Sequence, residues 1–228
     1  MRGSILGSVV GAGVLALSLS CVTEQTPPQC PVAHGPFAAR YTLKPGQTAT
    51  GPCTTLEGGL VGMVKYSRSG GSGDPTVAIR TDELGNTEPA GTQIPSLSSI
   101  GTISGPNDDG QCTIATTSTA TATVDATSVS YNFHNMRLLS TGAAPGTHFA
   151  SEVTYAVDAC SAEYDVVGIW PAVSCDDGTG APDETLCSTV PYPDQGIAAS
   201  GINPDFAVTC DPVTLYCQAA KPFPSLVQ

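Results

Sequence analysis

Residues 119–133 read TATATVDATSVSYNF, and this stretch decides the fold class. Threonines alternate with alanine or valine up to Val124, and after a short break polar residues alternate with Val129, Tyr131 and Phe133. Successive side chains of a β-strand point to opposite faces of the sheet, so a period of two over this length is typical of half-buried strands. The stretch therefore predicts two strands joined by a turn, with the small alanine face packed closely against another strand or sheet.

The other strand signals are short and are separated by turns rich in glycine, proline and asparagine. They lie at 37–43, 60–67, 76–80, 99–103, 148–158, 163–173, 205–209 and 213–218. No stretch sustains the i, i+3, i+4, i+7 spacing of an amphipathic helix. About eight to ten such strands predict an all-β fold, a disulfide-stabilised antiparallel β-sandwich with long loops, formed by one domain over residues 37–228. Greek-key and jelly-roll topologies are both compatible with this pattern.

The first twenty residues have the layout of an export signal. A positively charged start with Arg2 is followed by an uncharged run of apolar and small residues from Ile5 to Leu19. A transmembrane helix needs about 20 apolar residues to cross the bilayer core, and this run is shorter. Residues 1–20 are therefore predicted to be a cleaved signal peptide.

The end of this segment, Leu17-Ser18-Leu19-Ser20-Cys21, resembles the lipobox of bacterial lipoproteins. The small Ser20 fits that pattern, whereas Ser18 stands where a leucine is typical and Leu19 where a small residue is typical. In that family the signal is cut just before the cysteine, which then carries the lipid. The resemblance thus implies a lipid on Cys21 and attachment of the mature protein to a membrane.

Plain secretion is the alternative. Ser18 and Ser20 have the spacing of an A-x-A-like site, so a general signal peptidase would cut the same bond and leave a secreted or periplasmic protein. Where lipid is attached, Val22 in place of an aspartate implies, by the same resemblance, sorting to the outer membrane of a diderm bacterium. Residues 21–36 are then a lipid-anchored flexible linker, in which Pro27-Pro28 favours an extended chain.

The chain contains nine cysteines, an odd number. With Cys21 used for lipid, the other eight suffice for four disulfides, as expected of an exported protein. The eight are Cys30, Cys53, Cys112, Cys160, Cys175, Cys187, Cys210 and Cys217. Connectivity cannot be deduced from spacing, and for the last four we expect near neighbours to pair, Cys175 with Cys187 and Cys210 with Cys217. No C-x-x-C motif occurs, which argues against structural zinc.

The charge balance bears on the class of partner. The formal net charge is −12, and the acidic residues are scattered along the chain rather than collected in a tail. An acidic surface repels nucleic acid, so no nucleic-acid partner is expected.

Residues 175–187 carry the most suggestive group of side chains. Asp176, Asp177, Asp183 and Glu184 lie on a glycine-containing loop, and carboxylate oxygens are the ligands that calcium prefers. The spacing does not match the D-x-D-x-D-G-x5-E calcium loop, so we interpret the segment as an acidic surface loop without a tight metal site. Whether these four residues bind calcium is left open.

The sequence shows no catalytic motif. Ser72 lies in GGSGD, which is neither a G-x-S-x-G elbow nor a P-loop. His34, His134 and His148 have no recognisable nucleophile or orienting group beside them. We therefore expect no catalytic residues, no cofactor and no enzymatic activity.

Aromatic residues are sparse, and we expect them to fill the core rather than to form a platform for sugar stacking. The candidates for such a platform are Trp170, Tyr155, Tyr164, Tyr192 and Tyr216. Taken together, the features predict a lipid-anchored protein of the bacterial envelope with a structural, adhesion or surface-interaction role. Its expected partners are the membrane, through the N-terminal lipid, and an unidentified surface protein or glycan. A glycan- or calcium-binding module and a secreted hydrolase are the alternatives.

Overall fold

The computed structural model describes residues 30–47, 50–67, 74–87, 94–124 and 126–227. Within these ranges the chain forms eleven strands and one short α-helix. They are β1 Gly35–Leu43, β2 Gly58–Tyr66, β3 Thr76–Thr81, α1 Asp82–Gly85, β4 Ser99–Thr102, β5 Gln111–Thr116, β6 Ala120–Val124, β7 Thr127–Ser140, β8 Pro145–Val157, β9 Cys160–Ile169, β10 Val208–Cys210 and β11 Cys217–Ala219. The predicted signal peptide, Cys21, the linker as far as residue 29 and Ser72 lie outside the described residues. No helix in the described part of the chain is long and apolar enough to cross a bilayer.

Strands β1 to β9 form one antiparallel sheet that closes on itself. Along the sheet the order is β4-β3-β2-β1-β9-β8-β7-β5, with β6 pairing beside β5 on the long strand β7. The two ends of this order meet, because antiparallel bridges join Gly101 to Thr117 and Ser104 to Thr113. Closure satisfies the backbone groups that free sheet edges would leave unpaired.

The predicted all-β, antiparallel and disulfide-bonded class is confirmed. The topology is neither of the two that the strand pattern left open. Strands β1 to β4 pair in sequence order, as do β7 to β9, while β5 and β6 both pair with β7, and β1 pairs with β9 to close the sheet. The two facing layers expected of a sandwich are therefore opposite walls of one curved sheet.

The stretch at 119–133 forms the β6–β7 hairpin, as its alternation predicts. Ala122 pairs with Val129, and Tyr131 and Phe133 point into the closed sheet, where both are buried. Farther along β7 the register shifts at Asn135, whose φ is 50°. This extra residue is a β-bulge, and it allows Phe133 and Met136 both to be buried although they are three positions apart.

The interior is closely packed where β8 meets β9. Phe149 lies opposite Gly168 in the register, and its ring occupies the space that a side chain at Gly168 would need. A Cβ built at Gly168 would lie 2.1 Å from the Phe149 ring. The same ring makes an edge-to-face contact with Phe37 of β1, at 5.4 Å between centroids. The small residue thus lets one aromatic side chain fill the centre of the sheet.

Residues 172–227 form an irregular segment that packs on the outside of the closed sheet. It contains the β10–β11 hairpin, and a second apolar cluster lies between it and the outer faces of β7 and β9. Leu139 and Ile169 supply the sheet side of this cluster, and Ile202 and Phe206 supply the other side. Strand β9 ends at Ile169, shorter than the predicted 163–173, because Pro171 has no N–H to donate to a ladder.

His148 is the polar centre of this outer contact. Its Nδ1 donates to the Gly168 carbonyl at 2.8 Å, and its Nε2 accepts from the Ser225 amide at 2.9 Å. The rings of Phe206 and Phe223 both pack against the imidazole, with ring centroids 4.9 Å and 4.8 Å from that of His148. Because the side chain is fully buried, burial lowers the pKa of His148 to about 4, and the neutral ring holds the C-terminal segment on β8.

Four disulfides join the eight predicted cysteines. The bonds are Cys30–Cys112, Cys53–Cys160, Cys175–Cys210 and Cys187–Cys217. The expected near-neighbour pairs, Cys175–Cys187 and Cys210–Cys217, are therefore wrong.

The reason lies in how the C-terminal segment packs. Cys210 and Cys217 stand opposite each other in the β10–β11 hairpin, but the hairpin is contacted by two other segments. The Cys217 amide donates to Val173, and the Cys210 amide donates to Glu184, at 2.9 Å and 2.7 Å. Each hairpin cysteine bonds to one of these segments, so the disulfides link three pieces of chain rather than closing each loop on itself.

The chain enters the sheet at a defined end. Cys30 is bonded to Cys112, its carbonyl accepts from Lys65 Nζ at 2.9 Å, and the Ala33 amide donates to Gly146 at 3.0 Å. Residues from Cys30 onward, within the predicted linker 21–36, are thus packed against the sheet. We call this end, which holds Cys30, the near end, and the end where β1 finishes at Leu43 the far end.

Protonation of His148 is expected to destabilise the fold in mild acid. Its pKa is about 4 in the folded protein and 6.5 ordinarily, so the unfolded chain binds the extra proton between these values. The stability contributed by the neutral ring is complete above pH 6.5 and is lost as pH falls toward 4. The free energy of unfolding should fall by roughly 2 kcal/mol between pH 7.5 and 5.

Chemical denaturation at a series of pH values measures this effect. His148→Gln should remove most of the slope between pH 5 and 6.5, whereas the exposed His34→Gln should leave it unchanged. Equal slopes in the wild type and in His148→Gln would show that another group is responsible.

Gly168→Ala tests the packing inside the sheet. The added methyl group has to displace the Phe149 ring, so we expect a loss of about 1–3 kcal/mol in unfolding free energy. Gly142→Ala is the matched control, since a Cβ there meets no atom within 4 Å. A thermal melt in which both variants lose the same stability would contradict the proposed packing.

Candidate functional site

The disulfides account for every cysteine except the first. Nine cysteines are present and eight are paired within the described residues, so Cys21 has no cysteine left in the chain to bond. Its own position lies outside the described residues.

The acidic loop uses its carboxylates to hold its own backbone. Asp176 accepts from the amides of Gly178 and Gly180, at 2.8 Å and 2.9 Å. Asp177 and Asp183 accept in the same way from residues two positions ahead, at 2.7 Å and 2.9 Å. The hydrogen bonds from Thr179 hold the pKa of the Asp177 carboxyl below its usual range.

Glu184 has a different role from the three aspartates. Its Oε2 accepts from the Cys210 amide at 2.7 Å and so joins the loop to the β10–β11 hairpin. Each of the four acidic side chains thus has a protein partner that explains its position in the fold.

The three histidines lie in different surroundings. His34 is exposed, and His148 is the buried group described above. His134 lies on the outer face of the sheet, with Nε2 3.4 Å from Glu152 and 3.6 Å from Glu163. His134 therefore contacts acidic side chains at the surface, whereas His148 makes a packing contact in the interior.

Lys44 completes the charge network around His134. It forms an ion pair with Glu152, and this hydrogen bond holds the pKa of the Glu152 carboxyl below its usual range. Since Lys44 follows β1 and Glu152 lies in β8, the pair ties together strands on either side of β9.

The five aromatic residues considered as a platform do not share one surface. Tyr155 and Tyr164 are buried in the core, 6.4 Å apart between ring centroids, as expected of core side chains. Tyr192 is exposed, whereas Trp170 and Tyr216 are half-buried.

A concave site lined by tyrosines and carboxylates lies at the far end of the closed sheet, and the sequence did not single it out. It is a cavity of about 270 Å³, which we call the far-end cavity. It is lined by Tyr41, Thr55, Leu56, Gly58, Gly59, Thr81, Asp82, Glu83, Asn86, Tyr131 and Tyr155. Cavities at the open end of a closed sheet are common ligand sites, because the strands supply rigid walls and the end loops supply polar groups.

Three strands bring tyrosines to this cavity. Tyr41 lies near the end of β1, Tyr131 near the start of β7 and Tyr155 near the end of β8, so antiparallel pairing places all three at the same end. The ring of Tyr131 is 4.8 Å from that of Tyr155 and is stacked on Phe133 at 6.2 Å. The ring faces are thereby used in packing, and the hydroxyl groups meet the polar lining.

Short helix α1 supplies the acidic groups. The Tyr131 hydroxyl donates to Glu83 Oε2 at 2.5 Å, and the Tyr155 hydroxyl is hydrogen-bonded within the same group. Asp82 lies over β2, where a Cβ on Gly59 would come within 3.1 Å of its Oδ1. Absence of a side chain at Gly59 thus leaves room for this carboxylate.

The tyrosines of the cavity are held in their neutral form. Burial, with added repulsion from the nearby carboxylates, raises the pKa of Tyr41 and Tyr131 far above its usual value. Burial and the Glu83 carboxylate raise the pKa of Tyr155 to about 12. The cavity therefore presents neutral hydroxyls and two carboxylates, and its lining contains no lysine or arginine.

The sequence contained part of this information. The alternation in β7 places Tyr131 on the inner face, and Tyr155 was expected in the core. That Asp82 and Glu83 reach the same point depends on the pairing of distant strands, which no local pattern carries.

Comparison with known proteins finds a family match that covers the closed sheet. The family model described as MlpA matches residues 35–171, which begin with β1 and end just after β9. A relative from Myxococcus xanthus, named "Putative lipoprotein MlpA", is 31% identical over 236 residues and covers 95% of this chain and 94% of its own length. No solved structure matches significantly. Since the family match spans the whole closed sheet and the relative extends over nearly the entire chain, the protein belongs to the MlpA family.

Proposed function

We propose that the protein is a lipoprotein of the bacterial outer membrane, anchored by lipid on Cys21, that presents its closed sheet as a structural or surface-interaction module. The observation that carries the proposal is the disulfide pairing. Eight cysteines form four bonds among themselves, which leaves the cysteine of the lipobox-like segment without a partner in the chain. A single free thiol at a signal-peptide boundary fits a site of lipid attachment.

The disulfides also support export. Two of them, Cys30–Cys112 and Cys53–Cys160, join residues 82 and 107 positions apart. Such bonds persist in oxidising compartments and are rare where thiols are kept reduced. A periplasmic or surface location satisfies this condition.

The relative adds to the same proposal. Its name describes it as a putative lipoprotein, and it matches this chain over 95% of the chain's length. Several acyl chains on one N-terminal cysteine give durable anchoring, whereas a single chain binds membranes only marginally.

The linker sets the distance between membrane and domain. Cys21 lies nine positions before Cys30, where packing against the sheet begins, and an extended chain of this length spans about 30 Å at most. The proposed tether thus attaches at the near end, opposite the far-end cavity.

We further propose that the protein acts without catalysis. Of the three histidines, His34 is exposed and the other two are committed to other contacts, His148 to the Gly168 carbonyl and the Ser225 amide and His134 to two glutamates. Their partners hold strands and the C-terminal segment in place.

Cys21→Ala tests the anchoring. The native chain, expressed in a diderm bacterium, should appear in the outer-membrane fraction with an intact mass that includes several acyl chains. Cys21→Ala should lose the added mass and leave the membrane fraction, while keeping four disulfides by mass after alkylation. Ser20→Ala, which keeps a small residue before the cleavage point, is the matched control and should be lipidated as the native chain is.

An unlipidated mature form of the native chain, found away from the membrane, would overturn the proposal. The protein would then be a secreted one with an unpaired cysteine.

A further inference from the structure

We infer that the far-end cavity binds a small organic cation that carries N–H donors, a primary ammonium or a guanidinium group. The inference goes beyond the anchoring role and does not depend on it.

The charge of the lining is the first argument. Asp82 and Glu83 contribute two carboxylates, and the lining contains no basic residue to neutralise them. The hydroxyls of Tyr131 and Tyr155 hydrogen-bond to Glu83 but remain uncharged, so none of the described lining residues neutralises the two carboxylates. A cation with several N–H donors supplies both the missing charge and the missing hydrogen bonds.

An unpartnered buried hydroxyl is the second, independent argument. Thr81 lines the cavity and is only 3% exposed, yet its Oγ1 has no hydrogen-bond partner among the described residues. Thr81 stands at the N-cap of α1, where a threonine hydroxyl commonly accepts from the helix backbone, but it makes no such bond. A buried polar atom without a partner costs stability, so a ligand that donates to it recovers that cost.

The arrangement of the rings selects the kind of cation. Quaternary ammonium groups are recognised by the faces of aromatic rings. Here the Tyr131 ring lies nearly parallel to that of Phe133, at 6.2 Å between centroids, and packs against Tyr155 at 4.8 Å, so its neighbours are other aromatic rings of the core. What the cavity offers is oxygen, from Thr81, Asp82 and Glu83, and oxygen acceptors require a ligand with N–H groups.

A divalent metal suits the cavity less well. Calcium takes six to eight oxygen ligands, with carboxylates contributing most of the charge. Two carboxylates, one of which already accepts from Tyr131, fall short of that number, and the tyrosines are held protonated by burial. The groups present therefore favour an N–H donor.

The size of the cavity limits what enters it. About 270 Å³ is below the usual volume for a drug-sized ligand, and it accommodates one charged head group with a short alkyl stem. The same head group occurs on free amines and on lysine or arginine side chains of a peptide, and the test distinguishes these sources.

Binding is measured by isothermal titration and thermal shift on the mature protein, whether or not lipid is attached. The probes are butylamine and butylguanidine, with tetramethylammonium and glucose as controls for charge without N–H groups and for hydroxyls without charge. Saturable binding of either of the first two, and of neither control, is expected. Tripeptides with a central lysine or arginine are the second arm; if they bind more tightly than the free amines, the source is a peptide.

The variants locate the binding. Glu83→Gln and Asp82→Asn are made as single variants, and Glu83→Gln keeps an acceptor for Tyr131. Each should weaken binding about tenfold, since each removes one charged acceptor. Thr81→Val keeps the shape of the side chain and should weaken binding several-fold while raising the melting temperature, because an unpaired hydroxyl is removed. The matched control is Glu57→Gln. Glu57 is exposed and follows Leu56, which lines the cavity, but Glu57 itself is not part of the lining.

Several outcomes would overturn the inference. They are no saturable binding of either probe at concentrations up to about 10 mM, equal binding of tetramethylammonium or glucose, or equal weakening by Glu57→Gln. An unlipidated native chain, the result that overturns the anchoring proposal, would leave these binding results unaffected, so the two proposals fail separately.

Discussion

The pairing of β1 with β9 is the constraint on which the rest of the structure depends. Six residue pairs, from Ala38–Ile169 to Leu43–Tyr164, join the first strand of the sheet to its last. Without this seam both strands would expose a row of unpaired backbone groups, and the inner face would have no opposite wall. With it, Phe37 reaches Phe149, Tyr41 reaches Tyr164, and the interior becomes a single apolar core.

Strands β8 and β9 have buried residues on both faces, the inner one covered by closure of the sheet and the outer one by the C-terminal segment. Inward residues such as Val153 and Tyr164 fill the core, while His148 and Ile169 point outward and are covered by the C-terminal segment. That segment has little regular structure of its own within the described residues, since β10 and β11 are three residues each. Two disulfides and the His148 contacts therefore hold this segment in place, as backbone hydrogen bonds between strands hold the sheet.

The features of the fold that could be predicted from the sequence are those that depend on residues close together in the chain. The hairpin at 119–133 was predictable, because a period of two is a local property and a turn joins neighbours in the chain. The β1–β9 seam was not, since its partners are more than a hundred positions apart and nothing in either strand names the other. The Cys175–Cys210 and Cys187–Cys217 bonds were missed for the same reason: spacing favours near neighbours, and only the packing of the hairpin shows otherwise. Tyr155 was correctly expected in the core, but its meeting with Glu83 required the register of the whole sheet.

The two ends of the closed sheet carry different groups. The near end is held by the Cys30–Cys112 disulfide and by the contacts of Lys65 and Gly146, and the chain enters the sheet there. Along β1, Gly35 and Tyr41 are six residues apart, so at about 3.3 Å per residue the cavity lies roughly 20 Å from that point of entry. The proposed anchoring acts through Cys21, whereas the proposed binding acts through Thr81, Asp82 and Glu83. The two proposals therefore depend on separate residues, and either can fail without the other.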